Sequence, residues 1–165
     1  MEFSFARMTL ADIDEVLAIE KVSFGTPWSR QAFVGELTEN PLSVYVVGRV
    51  GERIVCYGGV WLFLGEAHIT NIAVHPDYRG QGYGEALCRT LIQEAALVDI
   101  DKVTLEVRVS NITAQNLYLK LGFYSAGRRP GYYTDTNEDA VIMWKDSTAG
   151  TAAVPWGADK QVCGK

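Results

Sequence analysis

The chain has 165 residues, 48% of them hydrophobic, which is enough for one substantial core and too short for two ordinary domains. Its formal charge of −5 argues against a nucleic-acid partner, which calls for clustered Lys and Arg, while leaving a basic peptide open. No apolar run approaches the roughly eighteen residues of a membrane span, and Met1-Glu2-Phe3-Ser4 lacks the basic and apolar regions of a signal peptide, so a cytoplasmic protein with no membrane partner is expected.

Taken in order, Phe3 to Met8 alternates as a first strand, and Asp12 opens a helix with Ile13, Val16, Leu17 and Ile19 on its apolar side. Gly25-Thr26-Pro27 closes that helix. Ser29 is an N-cap for a second one carrying Phe33, Val34 and Leu37, which stops before Asn40-Pro41. Ser43 to Val50 and Arg53 to Leu64 are strand-rich runs joined by a Gly51-Glu52 hairpin, and Leu64-Gly65-Glu66 turns into a third, so an antiparallel meander is expected. Lys102 to Arg108 alternates strictly, with Val103, Leu105 and Val107 on one face and Thr104, Glu106 and Arg108 on the other. Ser110-Asn111 caps a helix bearing Ala114, Leu117, Tyr118 and Leu121, which Gly122 ends. A short strand from Phe123, a loop from Arg128 to Asn137 and a last strand at Ala140 to Trp144 complete a domain over residues 1–146. Residues 147–165 are small, polar and without period, and read as a mobile extension in which Trp156 is the candidate for docking. The three cysteines are scattered; Cys56 and Cys88 sit in apolar patterns and read as buried free thiols, and Cys163 is misplaced for prenylation. No metal site is expected, because the spacing of His68 and His75 does not make a ligand pair; both are assigned to structure or surface.

The chemistry concentrates in His68 to Gly84. Ile69, Ile72, Ala73 and Val74 form a strand, Pro76-Asp77 ends it, and Gly80, Gly82 and Gly84 leave three places for close backbone approach. From Gly84 the positions Leu87, Cys88, Leu91, Ala95 and Val98 recur at helical steps. A helix that starts inside a glycine loop offers unpaired N–H groups and a positive dipole end, so a phosphate is its natural ligand. No Lys-Ser/Thr follows Gly84, which excludes a P-loop, and G-x-G-x-G is not the dinucleotide fingerprint G-x-G-x-x-G.

Arg79-Gly80-Gln81-Gly82-Tyr83-Gly84, with Asn71-Ile72-Ala73-Val74 before it, resembles the acyl-CoA pyrophosphate loop of the GNAT acetyltransferases, and the resemblance covers nearly all of Met1 to Lys145. It implies an α/β (α+β) GNAT fold: a mixed, mostly antiparallel sheet of about seven strands with four helices, whose two central strands splay to admit the pantetheine arm. Pro27-Trp28-Ser29, Leu105-Glu106-Val107-Arg108 with Ser110-Asn111, Leu117-Tyr118 with Leu121-Gly122-Phe123, and Tyr132-Tyr133 with Glu138-Asp139-Ala140 resemble the RimI-like branch, which acetylates the N-terminus of a ribosomal protein. The resemblance implies acetyl-CoA as co-substrate, Glu106 as proton acceptor and Tyr118 as proton donor. It also implies Asn111 at the pantetheine, and Ile72, Ala73 and Val74 with Arg79, Gly80, Gln81, Gly82, Tyr83, Gly84 and Glu85 on the cofactor backbone. Trp28, Tyr132 and Tyr133 are the candidate substrate contacts.

Acetyl transfer from a thioester needs a neutral amine, a site for the tetrahedral oxyanion and a way to quiet the departing thiolate. An α-amine, with a reference pKa of about 7.7–8.0 against roughly 10.4 for lysine, asks less of a base, which favours a protein N-terminus; the resemblance to the RimI-like branch implies a ribosomal protein with a small first residue. A tyrosine near pKa 10 giving its proton to a thiolate near 8.5 climbs roughly 2 kcal/mol, so Tyr118 is expected to act mainly as a hydrogen-bond donor. The resemblance, by analogy, makes the backbone N–H of Val74 the candidate oxyanion contact. Acetylation of a small amine or a lysine side chain, and a non-catalytic acyl-CoA-binding module, stand as alternatives; the pairing of Glu106 with Tyr118 speaks against the last.

Overall fold

The computed structural model describes residues 2–148. The strands are β1 (Phe3–Arg7), β2 (Ser43–Val50), β3 (Arg53–Phe63), β4 (Glu66–Val74), β5 (Lys102–Arg108), β6 (Tyr124–Tyr133) and β7 (Glu138–Lys145). The helices are α1 (Ile13–Ser23), α2 (Arg30–Thr38), α3 (Tyr83–Ala96) and α4 (Ile112–Lys120). The strands form one sheet in the order β1-β2-β3-β4-β5-β7-β6, with only the β4–β5 pair parallel. This is the mixed, mostly antiparallel seven-stranded sheet with four helices that the resemblance implies, and β1 to β4 form the expected meander.

Local signals explain most boundaries. The Ser29 side chain accepts from Ala32 N–H and caps α2. Leu64 and Gly65 both take positive φ, 48° and 80°, the two-residue turn that matches the twist of the strands it joins. Gly122 adopts φ 95° just beyond α4, the left-handed position that stops a helix and favours glycine. Asp12 differs slightly from expectation: a 3-10 turn over Leu10–Asp12 precedes α1, and Asp12 also pairs with Arg49.

The sheet buries both faces. On one, Leu87, Cys88, Leu91 and Ile92 of α3 pack on Ile69, Val103, Leu105 and Val107. On the other, Ile13, Val16 and Ile19 of α1 and Phe33 of α2 pack on Tyr45, Val47, Tyr57 and Ala73. Cys56 and Cys88 are both buried, as expected, and burial pushes the Cys88 thiol up to about 12.

Two irregularities in β4 open the middle of the sheet. Val60 pairs with Ile69 and Gly59 with Asn71, so Thr70 is an extra residue, a β-bulge. The bulge resets the alternation: Ala67 and Ile69 face α3, and so do Ile72 and Val74, while Ala73 joins the α1–α2 side. Pairing to β5 is also brief, covering Glu66 with Lys102, Ala67 with Val103 and His68 with Thr104. Beyond those pairs the two strands part, and a V-shaped seam opens between Ile69–Val74 and Leu105–Arg108.

Two boundaries depart from the sequence reading. Helix α3 runs from Tyr83 to Ala96, so Val98 falls past its end and is exposed instead of completing the apolar stripe. Arg128 to Asn137 is not one loop: β6 continues to Tyr133, and only residues 134–137 turn. Pro130 and two positive-φ glycines, Gly127 and Gly131, break the sequence period there. An edge strand tolerates them because it pairs on one side only and takes them up in irregular register. Trp156, Cys163 and almost all of the 147–165 extension lie outside the described residues; within them, the Thr148 hydroxyl donates to the Ile100 carbonyl at 3.2 Å. Among the described residues no helix is long and apolar enough to cross a membrane.

Candidate active site

The site is built around the seam. At its upper end the chain leaves β4 at Val74, makes a 3-10 turn over Pro76–Tyr78 and enters α3 through the glycine loop. Gly80 and Gly82 adopt φ 76° and 90°, a left-handed backbone that a side chain resists. Gly82 is the N-cap of α3 and brings no capping side chain. The first intrahelical bond runs from Ala86 N–H to the Gly82 carbonyl, so helix geometry leaves the N–H groups of Gly84 and Glu85 without intrahelical acceptors. Such donors at the positive end of a fourteen-residue helix fit a pyrophosphate, and the edges that β4 and β5 turn to the seam fit an amide-bearing arm.

The side chains of the loop hold the loop itself. Arg79 donates from Nε to the Val74 carbonyl at 2.9 Å and from Nη2 to the Ser23 hydroxyl at 3.2 Å, tying β4, the loop and the end of α1 together. Gln81 reaches back to the Asp77 carbonyl at 3.4 Å. Glu85 pairs with Lys120 at 2.6 Å and Arg89 at 3.2 Å, which hold its carboxyl below the usual range. Tyr83 packs inward against Phe3, with ring centroids 4.8 Å apart.

Glu106 projects from β5 two residues past the last β4–β5 pair, where the seam begins, on the face away from α3. Its side chain is 9% exposed, and each carboxylate oxygen has a partner: Oε1 lies 2.7 Å from His68 Nε2 and Oε2 lies 3.5 Å from Arg129 Nε. Burial pushes this carboxyl up, but the hydrogen bond and charge of His68, with Arg129 behind them, outweigh burial and hold it below the usual carboxylate range. Below Glu106 the sheet face opens into a cavity of about 590 Å³ lined in part by Trp61, Phe63, His68, Arg129 and Trp144.

Tyr118 lies across the sheet from Glu106, in the core against α3, with its ring 5.8 Å from Phe123. Burial raises its phenol well above the ordinary value, with Cys88 and Tyr133 adding to the shift. Asn111 caps α4, its side chain accepting from Ala114 N–H at 3.1 Å. Trp28 packs on Phe33 and Tyr45, at centroid distances of 5.3 and 6.3 Å. Its backbone N–H donates to buried Glu20, whose carboxyl burial pushes up despite that bond and the one from Tyr57. Trp28 therefore has a structural place in the α1–α2 corner and is not among the residues lining the cavity. Tyr132 and Tyr133 form an edge-to-face pair at 5.1 Å at the end of β6, and Tyr133 lies 4.1 Å from the Arg108 guanidinium. Both phenols are raised, first by burial and then in part by the Glu106 charge, which places the pair within its field.

Arg108 organises this rim. It pairs with Asp135 at 2.7 Å and Glu138 at 3.3 Å, and Glu138 accepts from Ser110 N–H at 2.7 Å. A Cβ placed on Gly25 would come within 2.5 Å of Asp135 Oδ2, so the α1–α2 connection and the β6–β7 turn meet. Sequence reasoning missed His68 and Arg129. Their partnership with Glu106 depends on the parallel β4–β5 register and on strand order, which no local pattern carries; the only available signal was a polar residue alternating out of an apolar strand.

Residues 13–123 match the sequence profile of the Acetyltransferase (GNAT) family. A Bacillus subtilis protein provisionally named a ribosomal protein bS18-alanine N-acetyltransferase is 47% identical over 137 residues, covering 83% of this chain and 91% of that protein. The Escherichia coli K12 ribosomal protein bS18-alanine N-acetyltransferase is 35% identical over 142 residues, covering 85% and 95%. The crystal structure of the Escherichia coli ribosomal-protein-S18-alanine N-acetyltransferase superposes with a TM-score of 0.80 at 34% identity, covering 90% of this chain and 96% of that one. With its seam, glycine loop and helix arranged as described, this chain belongs to the GNAT family of acetyltransferases and is an acetyl-CoA-dependent N-acetyltransferase.

Proposed function

We propose that this protein acetylates the N-terminal α-amine of a ribosomal protein with a small first residue, in the bacterial cytoplasm. The observation that carries the reading is the largely covered carboxylate of Glu106 at the point where β4 and β5 part, beneath a rim formed by two loops that meet. The names of the relatives support the substrate class, since the Escherichia coli relative acts on an alanine of ribosomal protein bS18. Acetyl-CoA, when bound, supplies the thioester carbonyl.

The protein's own residues have separable tasks. The N–H groups that open α3, on the left-handed turn at Gly80 and Gly82, bind phosphate, and the free edges of β4 and β5 orient an amide-bearing arm in the seam. Glu106 is the charged centre that draws the proton from the incoming ammonium. The Val74 N–H is directed by the bulged strand as the oxyanion donor. Tyr118 donates a hydrogen bond to the departing sulfur: its raised pKa makes full proton transfer steeper than the roughly 2 kcal/mol for an unperturbed tyrosine. Tyr132 and Tyr133 with the Gly25 corner narrow the approach to an extended chain, and Glu138 and Asp139 attract a basic one.

The test uses matched peptides, one with a free N-terminus and blocked lysines, the other the reverse. Acetylation of the first alone is expected. Preference for the lysine peptide, or activity on polyamines only, overturns the substrate assignment.

A further inference from the structure

The two oxygens of Glu106 are both engaged, and that raises the question of where the substrate's proton goes. A carboxylate held ionised between His68 and Arg129 is a poor resting place for a proton at neutral pH. For an ionised Glu106, the 2.7 Å contact to His68 Nε2 requires a hydrogen on that nitrogen, because two lone pairs would repel at this distance. A neutral His68 therefore has its free lone pair on Nδ1. Among the described residues nothing hydrogen-bonds to Nδ1, and the side chain, 33% exposed, lies against the cavity that Glu106 also lines. The ring is fixed by a second contact, edge-on to Trp61 at 5.8 Å, and the Trp61 indole N–H is itself held by Glu36 at 2.5 Å.

We propose that the proton acceptor of this site is the imidazole of His68, with Glu106 acting through it: the carboxylate fixes the Nε2–H tautomer and stabilises the imidazolium that forms. The proposal rests on the acetyltransferase reading above and reassigns one role within it. In the proposed step an ammonium N–H bond breaks and an Nδ1–H bond forms, directly or through one cavity water. The nitrogen keeps the bonding pair and uses it to attack the thioester carbonyl; the C–S bond then breaks, and the second proton the nitrogen loses passes through cavity water to the departing thiolate. The imidazolium then loses the Nδ1 proton to water in the cavity, restoring the starting tautomer. The arrangement follows the same logic as a carboxylate–histidine pair in hydrolases, where the acid orients and the ring carries the proton. It also suits the energetics: an ordinary imidazole, near pKa 6.5, lies within about 1.5 units of an α-amine, whereas an ordinary glutamate lies more than three units below it.

The charged and titratable groups around His68 come from every neighbouring element: Glu66 on β4 itself, Glu106 on β5, Arg129 on β6 with Tyr132 and Tyr133 at its end, and Glu36 of α2 behind Trp61. Among the described residues, Arg129 is the one cation lining the cavity, and it lies on the far oxygen of Glu106.

His68→Gln keeps an N–H donor for Glu106 and removes the titrating lone pair. We expect its kcat/KM to fall about 100-fold at pH 7, within the 10²–10⁴ range of general-base help, and to approach the unsubstituted protein by pH 9, where an α-amine deprotonates unaided. An unchanged rate and pH profile in His68→Gln, beside a large loss in Glu106→Gln, would overturn the proposal and return the proton to the carboxylate. A uniform loss across pH would overturn it too, in favour of a structural role. If the unsubstituted protein acetylates no free N-terminus, the functional reading fails instead, and the two failures are thereby distinct. A second measurement needs no variant: imidazole ¹⁵N spectra of the full chain should show the Nε2–H tautomer of neutral His68, and an Nδ1–H tautomer excludes Nδ1 as the acceptor.

Discussion

The two halves of the site are built from different materials. The proposed cofactor half is contiguous in sequence, from the end of β4 through the glycine loop into α3, and the groups it offers a ligand are backbone N–H and C=O. The acceptor half draws single side chains from five strands: Trp61 on β3, His68 on β4, Glu106 on β5, Arg129 on β6 and Trp144 on β7. A backbone site tolerates changes of side chain but not of conformation. A side-chain site tolerates small backbone shifts but fails when one group changes its charge or its donor. That contrast predicts which substitutions abolish binding and which affect only rate.

The largest effect is expected at Gly82, whose φ of 90° opens α3. Gly82→Val forces a branched side chain into a left-handed turn and pulls the helix N-terminus away from the phosphate, so acetyl-CoA affinity measured by calorimetry should fall below detection. Gly35→Ala on α2, where an added Cβ meets nothing within 4 Å, is the control and should bind normally. Intact affinity in a folded Gly82→Val protein would break the backbone account of this half.

Next comes the charge of the acceptor half. Glu106→Gln should lower kcat by ~10²–10⁴-fold at pH 7 with acetyl-CoA affinity unchanged, and the deficit should shrink towards pH 9. That trend comes from the substrate's α-amine, which deprotonates unaided as pH rises, and not from Glu106. Glu106 ionises below the usual carboxylate range and stays ionised as pH rises, so the stability and charge it contributes are lost only on acidification through that low pKa. A rising rate limb near neutrality in the unsubstituted enzyme therefore belongs to another group. Loss of cofactor binding in Glu106→Gln would mean that the two halves are not separable.

Tyr118 lies between the halves and sharpens the boundary. Tyr118→Phe keeps the ring that packs on Phe123 and removes the hydroxyl, and should slow the chemical step about tenfold, the worth of one hydrogen bond made only as the thiolate forms. Single-turnover kinetics with a parallel binding measurement checks this: a loss of affinity matching the loss of rate would make Tyr118 packing.

The smallest effect is expected at the rim. Arg108→Gln releases Asp135 and Glu138 from a partly exposed pair and unstacks Tyr133. A contribution of ~1 kcal/mol, reduced by solvent screening, predicts a peptide KM raised about fivefold or less with kcat unchanged. A fall in kcat at constant KM would place Arg108 in the chemistry instead.

Much of this molecule was legible in one dimension. Strict alternation placed Val103, Leu105 and Val107 inward and Glu106 outward, glycine chemistry marked the turns at Gly51, Gly65 and Gly122, and the spacing of Gly80, Gly82 and Gly84 before a helical stripe marked the left-handed turn that opens α3. These features are short-range: each depends on φ, ψ and side-chain period within about one turn or one strand. The edge strand β6 was not legible, because Pro130, Gly127 and Gly131 erase the period that its partner β7 restores. Nor was the acceptor side. His68 and Glu106 are 38 residues apart and meet only because β4 and β5 run parallel for three pairs before they part. The bulge at Thr70, the meeting of Gly25 with Asp135 and the cavity beneath Glu106 likewise arise from strand order and register. Those are fixed by the packing of the whole sheet between α3 and the α1–α2 pair, where a one-residue slip would carry Glu106 into the core.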